Sequence, residues 1–415
     1  MERIRATYLF ETALSPVKTA EIIAGEQSSG TFVPVPGESP ELKARSAARV
    51  ERLSPVDDVP GPALPGAAAG DGYYRRYELE LSWPLANMGP SLPNLVATVA
   101  GNLFELSQVS GLKILDLDLP AAFAQAYPGP GFGVEGTRRL AGVFDAPLIG
   151  TIIKPSVGLS PEETASLVEE LCRGGIDFIK DDELQADGPH CPFEARVRAV
   201  LRVLDAHEAR TGRRVMYAAN LTGEIDEMRS RHDLVAALGG TCVMLSLNSV
   251  GLAGVTALRR HAQLPIHAHR NGWGYLGRSP LNGWSYTAWQ KLWRLAGVDH
   301  MHVNGLSNKF WEPDESVIAS ARACLTPMFP NKPCTVMPVF SSGQSAKQAP
   351  GTFEALGTTD LIFCAGGGIV AHPGGIASGV RALRQAWEAA IAGIALEKAA
   401  VEARELREAL EMYGR

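Results

Sequence analysis

The chain has 415 residues, of which 46% are hydrophobic and 20% charged, and its formal net charge is −6. That length exceeds one ordinary core and predicts two domains, and the balance of apolar and charged residues excludes a disordered chain. There is no basic block and no run of about 18 apolar residues, which argues against a nucleic-acid partner and against a membrane span.

The first residues, Met1 to Arg5, lack the apolar stretch of a signal peptide. The six cysteines (Cys172, Cys191, Cys242, Cys324, Cys334 and Cys364) are scattered, with no CxxC pair. Together these features predict reduced thiols serving as small core residues in a cytoplasmic protein.

Residues 1–135 are expected to form an α+β domain. Ala6–Phe10 and Tyr77–Leu81 carry the β-branched or alternating apolar pattern of strands. Between Pro55 and Gly72, prolines, glycines and alanines crowd a segment with no helical period, which is expected to be a surface loop within this domain. Gly129-Pro130-Gly131 reads as a linker.

Residues 136–415 are expected to form the second domain. Short apolar segments alternate there with amphipathic ones. The strand candidates are Leu148–Ile153, Ile176–Ile179, Val215–Ala219, Cys242–Leu247, Pro265–His269, His300–Val303, Val336–Phe340 and Leu361–Ala365, with helices such as Pro161–Cys172 and Phe193–Arg210 between them. A strand–helix unit repeated in this way over about 250 residues is the signature of a (β/α)8 TIM barrel. A doubly wound open sheet is the competing reading, weakened because the first βα turn has no GxGxxG. The fold class is therefore α/β, a C-terminal (β/α)8 barrel with an N-terminal α+β domain. In such barrels the chemistry collects at the C-terminal ends of the strands.

The second barrel strand ends in Lys180-Asp181-Asp182-Glu183. Carboxylates at that density repel one another unless a cation sits among them, and hard oxygen ligands suit Mg2+. A neighbouring lysine repels a cation unless CO2 converts its amine to a carbamate. The plainer alternative is a solvated acidic turn with Lys180 as an ion-pair partner. The first strand ends in Lys154, which a nearby metal would turn into a proton carrier. His267 and His269 alternate along the fifth strand and so share one side of it, but no third soft ligand for zinc is nearby.

Several of these segments, in order, resemble the large chain of ribulose-bisphosphate carboxylase/oxygenase (RuBisCO). Gly150-Thr151-Ile152-Ile153-Lys154-Pro155-Ser156-Val157-Gly158-Leu159-Ser160 is similar to G-T-x-x-K-P-K-x-G-L-S, and Lys180 to Glu183 to K-D-D-E. Tyr217 to Thr222 is similar to Y-x-N-x-T, His267 to Arg270 to H-x-H-R, and Asp299 to His302 to D-H-x-H before a mobile loop. Ser341-Ser342-Gly343 and Gly366-Gly367-Gly368 resemble the phosphate-binding turns S-G-G and G-G-G. In the first domain, Gly25 to Phe32 resembles A-E-S-S-T-G-T-W and Gly101 to Phe104 resembles G-N-V-F.

The resemblance implies catalytic roles for Lys154, Lys180, His269 and Lys309. It implies a Mg2+ site made by Lys180 as a CO2-derived carbamate with Asp182 and Glu183, and it leaves Asp181 out of the ligand set. It implies phosphate binding by Arg270, His302, Ser341, Gly343, Gly366 and Gly367. It also implies that Glu26, Thr31 and Asn102 reach the site of a neighbouring subunit, so the active unit is a homodimer or an oligomer of dimers. His372 is expected to be structural.

Ser156 replaces the second lysine of the first motif, Phe32 replaces a tryptophan, and Asn271 to Tyr275 departs from the carboxylase pattern. The chain thus looks like a RuBisCO-like protein of the form IV branch, which generates an enediolate from another phosphorylated small molecule. Retention of Lys309 points to a phosphorylated keto sugar acid that is decarboxylated or has its carboxyl transferred, as in the 3-oxo-isoapionate 4-phosphate type. An enolase or isomerase of a phosphorylated ketose, as in methionine salvage, is the alternative. A non-catalytic binding protein is the third reading.

Overall fold

The computed structural model of the chain describes residues 2–30, 35–70 and 72–413. They form two compact units: Met1–Tyr127 with Gly272–Leu295, and Pro128–Asn271 with Ala296–Arg415. The boundary expected between residues 135 and 136 falls inside the helix Gly133–Ala141.

The first unit is built on a five-stranded sheet. Its strands are β1 (Arg3–Thr12), β2 (Arg49–Val59), β3 (Tyr74–Pro84), β4 (Gly111–Asp118) and, much later in the chain, β10 (Asn282–Trp284), in the order β10-β4-β1-β3-β2. β1 runs antiparallel to both β3 and β4, while β10 adds in parallel to β4. Alternate residues of β1, Ile4, Ala6, Tyr8 and Phe10, are buried, as the period-two pattern requires. The Tyr8 hydroxyl, at the centre of that face, donates to the Val99 carbonyl at 2.7 Å.

Pro55 to Val59, expected to begin a loop, instead complete β2. β2 is an edge strand and most of its residues are exposed. A proline is tolerated there because it removes no interior ladder bond. The exposure also hides the alternation by which a strand is recognised in sequence.

The second unit is a closed barrel of eight parallel strands. They are β5 (Leu148–Ile152), β6 (Phe178–Lys180), β7 (Met216–Asn220), β8 (Cys242–Ser246), β9 (Ile266–His269), β11 (His300–His302), β12 (Met337–Phe340) and β13 (Ile362–Cys364), in that order around the barrel. Leu148, Phe178, Met216, Met244, Val339 and Ile362 are among the side chains that fill its interior. All six cysteines are free and buried.

Local signals set the strand ends. The helix Pro161–Gly174 opens with a capping box, in which Ser160 Oγ accepts from the Glu163 N–H at 3.2 Å and Glu163 accepts from the Ser160 N–H at 2.8 Å. It closes on Gly175 at φ 82°, a left-handed conformation that favours glycine, and the chain then enters β6. Asp177, ahead of β6, is buried and paired with Arg213 and Arg384 at 3.0 and 2.9 Å. These elements bring Lys180 to the C-terminal tip of its strand. Among the described residues no helix is long and apolar enough to cross a membrane.

Candidate active site at the C-terminal ends of the barrel strands

Lys180 is fully buried, and its amine donates to the Asp181 carbonyl at 2.7 Å. It forms a long ion pair with Glu183, whose Oε2 is 3.9 Å away. Burial pushes the Lys180 amine below its ordinary pKa, and Glu183, Asp182 and Asp181 offset this only in part. A buried, weakly paired amine of this kind is a good nucleophile toward CO2.

The three carboxylates that follow have different partners. Asp181 turns away and commits both oxygens. Oδ1 accepts from the Tyr217 hydroxyl at 2.6 Å, and Oδ2 accepts from the Asn220 N–H at 2.9 Å and faces Arg196 Nη2 at 3.2 Å. Asp182 accepts from Lys154 Nζ at 2.7 Å and from the Leu184 N–H at 3.1 Å. Burial raises the Asp182 carboxyl, but the bonds from Lys154, Leu184 and Ser156 and the charge of Lys154 together hold it below its ordinary value. Glu183 is part exposed, with Oε2 3.4 Å from His269 Nε2. Asn220 supports the turn, donating at 3.3 Å to both the Asp182 and Glu183 carbonyls.

Ser156, which stands where the motif has a lysine, accepts from Lys154 Nζ at 2.7 Å. The serine hydroxyl thus orients the Lys154 amine.

A chain of hydrogen bonds runs through the barrel interior. Thr137 donates its only hydroxyl proton to the Gly133 carbonyl at 2.5 Å, so it must accept from His300 Nε2 at 2.8 Å. His300 then has an acceptor at Nδ1, facing His267 Nδ1 at 3.4 Å. His267 Nε2 in turn accepts from His302 Nε2 at 2.8 Å, and His302 Nδ1 accepts from Ser341 Oγ at 3.0 Å. All three rings must be neutral for this order. Burial supplies that condition, lowering His300 to about 3 and pushing His267 and His302 well below the usual histidine value.

On the loop after β11, Lys309 is exposed, and its backbone N–H donates to the Ser342 carbonyl at 3.2 Å. Its ammonium lies 5.2 Å from the centre of the Phe310 ring. Gly343 has φ 87°, a conformation in which a side chain would be strained. In the triple glycine, a Cβ on Gly368 would lie 2.4 Å from the Gln344 carbonyl, so packing demands that glycine. At Gly366 and Gly367 a Cβ would meet nothing closer than about 3.9 Å, so packing leaves these two backbone groups open to close approach.

The barrel therefore brings together Lys154, Lys180, Asp182, Glu183 and His269 through direct contacts, and a second group of His302, Ser341 and Lys309 around the ends of β11 and β12. Arg270 donates to Glu312 at 2.6 Å. Glu26 ends the helix Pro16–Glu26 of the first unit and is exposed, as is Asn102. With its amide turned to suit its neighbours, Gln27 donates to the Ala97 carbonyl at 3.1 Å and accepts from the Asn102 N–H at 2.8 Å, which ties these two segments together. Thr31 and Phe32 lie outside the described residues. His372 bonds the Glu405 carbonyl and the Gly374 N–H, each at 3.0 Å.

Sequence reasoning missed Arg196, Glu312 and Asn304. Arg196 carried a usable signal, being a cation on the apolar stripe of the helix Phe193–Thr211 with Val197 and Val200. Glu312 had none, because its partner is forty-two residues away.

One other cluster among the described residues has the composition of a metal site, His232, Asp233 and His261. The Gln263 N–H donates to His232 Nε2 at 3.0 Å, so neutral His232 carries its proton on Nδ1 and donates it to Asp233 at 3.1 Å. That nitrogen has no lone pair for a metal, and the cluster reads as a hydrogen-bonded triad of buried His232 with exposed Asp233 and His261.

The profile of the ribulose bisphosphate carboxylase large chain, catalytic domain, matches residues 133–413, and that of its N-terminal domain matches residues 4–123. The chain belongs to the RuBisCO large-chain family. It is 62% identical over 412 residues, 99% of each chain, to a 3-oxo-isoapionate-4-phosphate transcarboxylase/hydrolase of Xanthobacter autotrophicus. It is 46% identical over 414 residues, again 99% of each chain, to a 3-oxo-isoapionate-4-phosphate decarboxylase of Rhizobium etli. The crystal structure of a RuBisCO-like protein from Burkholderia fungorum superposes with a TM-score of 0.93 at 48% identity, covering 99% of this chain and 100% of that one.

Proposed function

We propose that this chain breaks the bond between a carboxylate and its neighbouring carbon in a phosphorylated keto sugar acid of the 3-oxo-isoapionate 4-phosphate type. The electron pair of that bond passes into the adjacent carbonyl and leaves an enediolate. Such an enediolate has two nucleophilic carbons, so the CO2 can be recaptured at the other one and the product cleaved by water. This transfer and hydrolysis is the outcome we assign. The observation that carries it is the 62% identity, along the full length, to a transcarboxylase/hydrolase. Release of CO2 is the second reading, favoured by the decarboxylase relative at 46% identity.

The buried amine of Lys180 fits a CO2-derived carbamate, and with the oxygens of Asp182 and Glu183 it offers the hard donor set that Mg2+ prefers. Mg2+ held there would supply positive charge beside the developing enediolate oxygens. Lys154, held between Ser156 and Asp182, is the group that moves a proton at the reacting carbons. His269 faces Glu183 and orients it. Lys309 lies on the loop over Gly343 and holds the carboxylate that leaves and returns. The open backbone of Gly366 and Gly367, with Gly343, suits the substrate phosphate. Glu26 and Asn102 of a second copy of the chain complete the site, so the working unit is a homodimer.

Lys309→Ala is the test. Removing a charge-assisted contact to the carboxylate costs roughly 2–4 kcal/mol in sites of this type, about 30- to 1000-fold in turnover. Turnover of 3-oxo-isoapionate 4-phosphate should fall by that factor while binding of the substrate phosphate changes little. Unchanged turnover would overturn the assignment of Lys309 and favour an enolase or isomerase.

A further inference from the structure

Arg270 and His302 stand at the ends of neighbouring barrel strands, where two cationic or hydrogen-bonding side chains would be expected to hold an anionic group of the substrate. Both are committed to the protein itself. Arg270 Nη2 donates to Glu312 Oε2 at 2.6 Å, with both side chains at least nine-tenths buried. The same carboxylate oxygen accepts from Asn304 Nδ2 at 2.6 Å, and Oε1 accepts from Ser316 Oγ at 2.8 Å. Glu312 also lies just ahead of the helix Asp314–Leu325, whose N-terminal dipole favours a negative charge. His302 has both ring nitrogens engaged, by His267 and by Ser341.

A carboxylate held by three donors is a built-in anion. A phosphate arriving at Arg270 would have to displace it, and would meet its charge at close range in a poorly solvated place. We infer that Glu312 is the specificity-determining residue that closes this end of the site to a second phosphate and restricts the protein to monophosphates. The inference rests on the proposed function only in taking the substrate phosphate to sit at the other end, at Gly343, Gly366 and Gly367.

The test compares ribulose 5-phosphate with ribulose 1,5-bisphosphate as binding probes, by calorimetry on the intact Mg2+-supplemented protein. The native chain should bind the bisphosphate no more tightly than the monophosphate. In Glu312→Gln, which keeps the volume and removes the charge, affinity for the bisphosphate should rise at least tenfold relative to the monophosphate. The double variant Glu312→Gln with Arg270→Met should lose that gain, which assigns it to the guanidinium. Glu312→Ala provides a second route to the same readout if the glutamine variant fails to fold. Equal changes for both probes, or a native chain that already prefers the bisphosphate tenfold, would overturn the inference. Because the readout is binding and not turnover, a failure of the keto-acid assignment would leave its outcome unaffected.

Discussion

Arg196 is the support under the candidate metal turn. Its guanidinium and the Asp181 carboxylate are both fully buried. Burial works against the charge on Arg196, but Asp181, Tyr217 and Cys191 more than offset it and hold the guanidinium above its ordinary value. The same side chain donates to the Cys191 carbonyl at 2.9 Å and the Ala186 carbonyl at 2.6 Å, which ties down the loop that follows Glu183. Arg196→Ala removes one partner of a buried pair and leaves Asp181 with only Tyr217 and a backbone N–H. Breaking such a pair costs roughly 3–5 kcal/mol. At roughly 2–4 °C per kcal/mol for a unit of this size, the melting temperature should fall by about 10 °C. Because Asp181 sits between Lys180 and Asp182, activity should also fall, at temperatures where circular dichroism reports a folded chain. Pairing Arg196→Met with Asp181→Asn should recover most of the stability, since no uncompensated charge remains. Urea denaturation of the two variants and the native chain measures this. A loss below about 1 kcal/mol in Arg196→Ala would refute the view that this pair anchors the turn.

Lys180→Ala should abolish Mg2+-dependent turnover while leaving the fold intact, because its amine makes only a long ion pair, 3.9 Å to Glu183; full activity in that variant, or in the presence of EDTA, would contradict the carbamate reading. Mixing inactive Lys180→Ala with inactive Asn102→Ala subunits should restore activity if sites are shared, and no rescue after demonstrated subunit exchange would count against it. His300 gives a pH prediction. Its folded pKa, about 3, lies below the unfolded value of about 6.5, so the unfolded chain binds a proton that the folded chain refuses. Stability from this ring is therefore fully present above about pH 6.5 and is lost by about 1.4 kcal/mol per pH unit as the pH falls toward 3. His300→Leu should show a shallower fall by that amount between pH 6.5 and pH 5 in urea denaturation; parallel slopes would show that the ring is not held neutral.

Much of the barrel could be read from sequence because each strand is a short apolar run closed by a turn or a charge. Lys154, Lys180 and His269 were visible as polar residues ending apolar runs, and their convergence follows from barrel closure alone. The first unit was harder to read. β2 is exposed, so it lacks a buried face, and β10 pairs in parallel with β4, whose residues lie some hundred and seventy positions earlier. Nothing local tells Asn282-Gly283-Trp284 to leave the barrel for that sheet. The candidate site was legible in its residue types but not in its pairings. Asp181 read as the carboxylate left out of the ligand set, and its pairing there with the buried guanidinium of Arg196 was not legible in the sequence. Arg270 read as open to an anion, and Glu312 supplies that anion from the protein itself.

The central claim, that the chain detaches and moves a substrate carboxyl, is tested most directly by following that carbon. The measurement is 13C NMR of 3-oxo-isoapionate 4-phosphate labelled at its carboxyl, incubated with the Mg2+-supplemented protein. The account predicts that the label leaves its original carbon and appears on a different carbon of an organic acid product, with labelled CO2 and bicarbonate marking any decarboxylation. A label that stays on its original carbon while solvent deuterium enters the neighbouring position would contradict it, and would make the protein an enolising enzyme that never breaks the carboxyl bond.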